Sequence, residues 1–420
     1  MQIIADFHIH SKYARATSKE MEIKKLSYYA KIKGLNLLGT GDFTFPEYLK
    51  ELKNKLQEFE KGIYIYDNVF FMLTTEMSTN YFQNKKLRRV HHLVHVPDFD
   101  TIDQIVDALI KIGAKTTIDG RMSMNISSAE LVEILTEINK ENYIVPAHIW
   151  TPYFGCLGSK TGFDSIKDCY LDQTKKVYAL ETGLSSDPVM NWRLSSLDEF
   201  TLVSNSDSHS PWPWRLGREA NVFELKKITY KEIWDAIKVK DKKRFLYTIE
   251  VNPNYGKYHY TGHRKCKIFM HPKEARKIKN ICPICKKPLT IGVLQRVEDL
   301  ADRDEGYVPK DTIPFKTLLP LYEIISFSFG KGQLYSKKIL EEHDKLIKNF
   351  GNELNVLLNI SEEELLKVSN EKIVEAIIKI RENRVNYIPG ADGEYGKVIF
   401  DNNFEIKNNK NKYQKSLTQF

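Results

Sequence analysis

Residues 5–13 read ADFHIHSKY. In an extended strand, successive side chains point to opposite faces. Asp6, His8 and His10 therefore share one side, and Ala5, Phe7 and Ile9 the other. Two imidazoles aimed the same way at the end of an apolar run call for something to bind.

Other runs end alike. LNLLGTGDF (35–43) closes on Asp42 and VFFMLTTEM (69–77) on Glu76. HHLVHVPDF (91–99) holds His91, His92 and His95, and YIVPAHIW (143–150) holds His148. FTLVSNSDSH (200–209) closes on Asp207 and His209, while VYALETGL (177–184) completes the set of strand candidates. Helical patterns such as KEMEIKKLSYYAKIKG (19–34) and SAELVEILTEINKEN (128–142) lie between several of them. Strands alternating with helices argue for an α/β fold with a parallel sheet, and six or seven such units for a barrel. In such a barrel all strand C-termini open on one face, so residues two hundred positions apart converge.

Mixed imidazoles and carboxylates suit zinc, manganese or iron(II), and are too nitrogen-rich for a dedicated magnesium or calcium cage. The donors exceed the needs of one ion, so a cluster of two or three divalent ions is expected, with Glu76 as a bridging carboxylate. Such a site activates water and clamps phosphoester oxygens during in-line displacement. Asp6 reads as an orienter of a ligating histidine, and His91 and His95 as surplus imidazoles.

An N-terminal His-x-His, a Gly-Asp strand end, a lone Glu, a later His and a closing Asp-x-His resemble the PHP (polymerase and histidinol phosphatase) superfamily over about 1–250. The resemblance implies a distorted TIM-like (βα)7 barrel whose ions, drawn from zinc, manganese or magnesium, are held by His8, His10, Glu76, His92, His148, Asp207 and His209. Many of its members have Asp-His where this chain has Asp42-Phe43; Asp42 is expected to fill that place as a further ligand. Asp207, His209 and Glu76 are the expected catalytic residues.

The formal charge of +8 is uneven: residues 1–250 carry 34 Lys+Arg against 33 Asp+Glu, and residues 251–420 carry 29 against 22. Residues 257–287 hold ten Lys/Arg and the single acid Glu274. A basic module on a near-neutral one suits a polyanion. The same segment contains His263-x2-Cys266 and Cys282-x2-Cys285, two knuckles of a structural zinc site, with His271 as the alternative fourth ligand. Cys156 and Cys169 have no partner spacing.

A phosphoesterase barrel beside a basic zinc module looks like a nuclease. Together with LTIGVLQRVEDLADR (289–303) and PGADGEYG (389–396), the combination resembles the endonuclease Q family over about 1–400. That implies metal-dependent DNA repair nicking on the 5′ side of deaminated bases (hypoxanthine, uracil, xanthine) or abasic sites. Trp192, Trp212, Trp214 and Arg215 near the metal face, with Arg264 and Lys265 on the zinc module, are the expected DNA contacts. Competing readings are a small-molecule phosphatase resembling histidinol phosphatase and a non-catalytic nucleic-acid scaffold.

The expected domains are a barrel at 1–250, the zinc module at 256–295, a helical DNA-contacting domain at 310–400 and a flexible tail at 401–420. An acidic, proline-punctuated loop is expected over 297–315. In the tail, Gln414, Leu417 and Phe420 fit the spacing of a peptide that docks into sliding clamps. Hydrophobic content of 42% is ample for a core. The absence of a long apolar run and of a signal peptide, with five cysteines, suggests a cytoplasmic protein with no membrane partner.

Overall fold

The computed structural model describes residues 1–115, 119–330 and 336–400. The opening strand, Gln2–Asp6, runs parallel to Leu37–Gly39, which runs parallel to Val69–Met72. Ala179–Glu181 and Thr201–Val203 form a second parallel pair. A parallel bridge between Ile9 and Ser208 joins that pair's end to the first strand. The ends that carry His8, His10, Asp42, Glu181 and Asp207 therefore open on one side. Ile3, Ala5 and Phe7 bury themselves in a core with Trp234 and Phe245, which fixes the facing of the alternate residues toward the site.

The parallel arrangement is interrupted. Thr74–Gln83 folds back on Lys86–His95 as a ten-pair antiparallel hairpin, and Tyr143–Pro146 runs antiparallel to its second arm. The reversal is local: Asn84 and Lys85 both have positive φ, 53° and 61°, which matches a two-residue turn that accommodates the right-handed twist of the arms. Ala220–Glu224 and Phe245–Glu250 also run antiparallel, alongside the first strand. The all-parallel expectation is thus corrected to a mixed α/β arrangement.

Helix ends follow local chemistry. Ile23–Lys33 stops at Gly34, whose φ of 97° suits a left-handed cap. Ser128–Ile138 begins with a capping box between Ser127 and Glu130.

In the basic module, Thr261–His263 pairs with Ile268–Met270 beside the helix Pro272–Lys277, around a small core of Ile268, Met270, Ala275, Cys282 and Leu289. The expected acidic loop is partly helical, since Val293–Leu300 forms a helix packed against the module's first strand. The C-terminal region begins with Phe315–Thr317, a strand that joins the sheet of the first strand beside Phe245–Glu250. Five helices follow, Leu321–Ser328, Lys337–Phe350, Glu353–Leu358, Glu362–Val368 and Glu371–Arg381. They are welded to the first helix by a buried ion pair, Lys33 Nζ to Glu353 Oε1 at 2.6 Å. A last hairpin, Asn386–Ile388 with Lys397–Ile399, lies against the 3-10 turn Pro253–Tyr255. None of the helices among the described residues is long and apolar enough to cross a membrane.

Candidate metal centre

Three groups of side chains come within reach of shared ions. They are His8, His10 and Glu76; His10, Asp207 and His209; and Glu76, His91 and His148, with the donor atoms of each group within 4.8 Å of one another. Glu76 joins two groups and His10 joins two. Oε1 of Glu76 lies 2.6 Å from His91 Nδ1 and 3.1 Å from His148 Nε2, and its Oε2 lies 3.6 Å from His10 Nε2. Asp207 Oδ1 is 3.0 Å from His10 Nε2 and 3.7 Å from His8 Nε2. His209, a third exposed, sits at the rim with Nδ1 3.0 Å from the Asp207 carbonyl.

Carboxylates hold the imidazoles from behind. Glu181 contacts Nδ1 of His8 at 3.0 Å, and Asp42 contacts Nδ1 of His10 at 3.2 Å, leaving each Nε2 facing the site. This is the arrangement that fixes tautomer and ring direction in metal-binding histidines. Asp42, His148 and Asp207 have φ of 41°, 31° and 47°. The left-handed region is uncommon for such residues, and strain of this kind clusters at functional sites.

The sequence-based expectations need three corrections. His92 points away, because alternation sends it to the opposite face from His91. Its Nδ1 pairs with the Tyr170 hydroxyl at 2.8 Å and its Nε2 with Thr79 Oγ1 at 3.0 Å. His91 stands in its place, since Ser78 opposite it shares a face with Glu76. Asp42 lies behind His10, not among the donor groups: its other oxygen accepts from the backbone N–H (2.5 Å) and hydroxyl (2.7 Å) of Ser11, while Phe43 is buried in the core. Asp6 orients no histidine; it accepts from the backbone N–H groups of Ser206 and Gly217. His95 packs between Phe7 and Trp234.

The electrostatics separate these histidines. Burial disfavours the charged form of His8, yet Glu181, Asp207 and Glu76 outweigh it and lift the ring to about 9. His10 is likewise raised against its burial, chiefly by Asp42 and Asp207. Burial would raise Glu76, but His91, His148 and His8 hold it well below the usual carboxylate range. Burial pushes His92 and His95 down to about 3, so both stay neutral. The cluster therefore demands positive charge, which protons supply in the absence of cations. His8 Nε2 and Glu76 Oε2 are buried without a hydrogen-bond partner among the described residues. Orphaned donors of mixed nitrogen and oxygen type, converging in this way, fit divalent cations.

The centre forms the floor of a cleft of about 960 Å³, lined among others by Arg121, Arg215, Arg218, Lys257, Tyr258 and Tyr395. Of the anticipated DNA contacts, only Arg215 lies there, its Nη1 3.0 Å from Glu323 Oε1. Trp192 and Trp214 are buried, packing on Phe315 and Tyr322, and Trp212 packs on Tyr29 and Trp214. Their apolar area was better used in the core than at a wet surface. Arg264 and Lys265 are exposed. Glu181, Arg121, Arg218 and Tyr395 escaped the sequence reading. Glu181 ends the strand Ala179–Glu181, and in the sequence it closes an apolar run as Glu76 does, so the same signal could have found it; Glu76 itself proves to be the third residue of Thr74–Gln83, not a strand end, and the others carry no local signature.

In the basic module, donor atoms of His263, Cys266, Cys282 and Cys285 lie within 4.8 Å of one another. Three thiols and an imidazole suit a closed tetrahedral zinc site. His271 is not among them: its Nδ1 accepts from the Lys273 backbone N–H as a helix cap. Gln414, Leu417 and Phe420 lie outside the described residues.

Fold and donor set together define a metal-centred α/β protein with a cationic cleft. The crystal structure of the lesion-specific endonuclease PfuEndoQ from Pyrococcus furiosus matches with a TM-score of 0.85 at 34% identity, over 96% of each chain. Endonuclease Q in complex with a 27-mer duplex bearing an abasic lesion at the active site matches with a TM-score of 0.87 at 34% identity, over 96% of this chain and 97% of that one. This chain belongs to the endonuclease Q family. Residues 320–384 also match the MJ0043 C-terminal domain model. The uncharacterised protein MJ0043 of Methanocaldococcus jannaschii is 33% identical over 73% of this chain, which spans only 40% of that protein's length.

Proposed function

We propose that the protein is a metal-dependent DNA repair endonuclease that hydrolyses the phosphodiester on the 5′ side of a deaminated base (hypoxanthine, uracil, xanthine) or an abasic site. The observation that carries the reading is the convergence of the three donor groups on the floor of a cleft walled by Arg121, Arg215, Arg218 and Lys257. A duplex backbone is a polyanion, and cationic walls guide it to the centre.

In this reading His8, His10, Glu76, His91, His148, Asp207 and His209 hold two or three divalent ions, and Asp42 and Glu181 orient the rings. The ions supply an activated water and charge neutralisation at the phosphate. Asp207 and His209, at the open side, move protons to and from the reacting oxygens, and Glu76 keeps two donor groups in register. Zinc at His263, Cys266, Cys282 and Cys285 is structural and presents Arg264 and Lys265 to phosphates, while the helical region at 310–400 contacts the DNA flank.

The test is nicking of duplexes containing one deoxyinosine, one deoxyuridine or one abasic site, with and without added divalent metal. Cleavage 5′ to the lesion that requires metal, and spares undamaged duplex, is expected. Hydrolysis of a sugar phosphate with none of these duplexes cut would favour the phosphatase reading instead.

A further inference from the structure

Four cations line the cleft, and three are held by the protein itself. Arg218 donates from Nε and Nη2 to the Ser206 carbonyl at 3.2 and 3.1 Å, and from Nη1 to the Tyr395 hydroxyl at 3.4 Å. Arg215 donates from Nη1 to the Trp214 carbonyl and Glu323, both at 3.0 Å. Lys257 lies 4.7 Å over the Tyr395 ring.

Arg121 differs. Asp119 holds it from the rear: its carboxylate accepts the backbone N–H of Arg15 at 3.2 Å and of Arg121 at 3.3 Å, and lies 3.4 Å from Nη2. Nε and Nη1 of the guanidinium have no hydrogen-bond acceptor among the described residues. Nη1 stands 3.7 Å from Glu76 Oε2, the buried oxygen that itself lacks a hydrogen-bond partner. The fork is too far to satisfy that oxygen directly, yet lies beside it. An ion on Glu76 would leave Nη1 turned to whatever the ion binds.

We propose that Arg121 is a catalytic residue that grips a non-bridging oxygen of the scissile phosphate directly above Glu76. This rests on the proposed nuclease function. During hydrolysis the water oxygen bonds to phosphorus, the bond from phosphorus to the leaving ester oxygen breaks, and the water's proton ends on that oxygen. Negative charge grows on the non-bridging oxygens between those events. A guanidinium pre-oriented by Asp119 in a partly enclosed cleft meets that charge through Nη1 without reorganising. Lysine has the charge but not the planar group that Asp119 orients from behind.

The experiment compares wild type, Arg121→Ala and Arg121→Lys in single-turnover nicking of a lesion duplex, with ion content and duplex affinity measured on the same preparations. Arg121→Ala is expected to lose about 100- to 1000-fold in rate, with ion content and duplex affinity near wild type. Added guanidinium should return part of that rate. Arg121→Lys should fall between the two and serves if the alanine variant does not fold. A rate within about threefold of wild type, a loss that tracks missing ions, or a loss that guanidinium does not relieve would overturn the assignment. If wild type cuts no lesion duplex, the nuclease reading fails, a separate result from an unaffected Arg121 variant of an active enzyme.

Discussion

Adjacent histidines on the second hairpin arm make opposite demands, and replacing each with alanine separates them. His92 is buried between Tyr170 and Thr79, with both ring nitrogens bonded. Without it the Tyr170 hydroxyl loses its imidazole partner, while Thr79 keeps Ser128 at 3.1 Å. An orphaned buried polar group costs about 1–3 kcal/mol, and the cavity left by the ring adds a similar amount. His92→Ala should therefore lose about 2–5 kcal/mol of stability and keep its ions. His91 touches Glu76 at 2.6 Å and shares a donor group with His148. Even residues that merely orient a ligand cost about 10–100-fold in affinity or activity when removed. His91→Ala should therefore lose at least about 100-fold in nicking, together with ion content, at little cost in melting temperature. Elemental analysis, calorimetry and nicking on matched preparations decide it. Should His92→Ala shed an ion while His91→Ala retains its full complement, the facing of the hairpin argued above is wrong.

Two further outcomes follow from buried charge. Glu353→Ala strands the Lys33 ammonium away from water, and breaking such a pair costs about 3–5 kcal/mol; denaturant unfolding should show that loss, and Lys33→Met combined with Glu353→Leu should recover most of it. Glu250, buried among Thr182, Ser204 and Thr248, is raised by burial to about 8 from 4.5. The folded state thus keeps a proton that the unfolded chain releases, so stability should fall as pH climbs from about 4.5 to about 8; Glu250→Gln should flatten that slope, and an unchanged slope would reject the assignment.

Much of the centre could be read from the text because strand ends concentrate function and alternation fixes facing. His8, His10, Glu76, His148, Asp207 and His209 were singled out this way and the zinc knuckles by spacing, and the structure brings the donor atoms of each set together. What escaped depended on parity and distance. Whether His91 or His92 faces inward hangs on the register of the hairpin, which the turn at Asn84 and Lys85 sets and which no local pattern announces. Asp42 has the right chemistry and nearly the right place, but its backbone turn directs it onto Ser11. The tryptophans were misjudged because an aromatic ring near a presumed face looks the same in sequence whether it stacks on a base or fills the core. Arg121 and Tyr395 come from irregular segments, where periodicity says nothing.

The Tyr395 wall comes late in the chain. Every imidazole and carboxylate of the three donor groups lies at or before His209, whereas the aromatic neighbour of Arg218 and Lys257 comes from the loop of the last described hairpin. Under the proposed reading, cleavage of the chain before that hairpin would keep the donor groups and remove the aromatic wall beside Arg218 and Lys257, so ion binding and nucleic-acid guidance would separate.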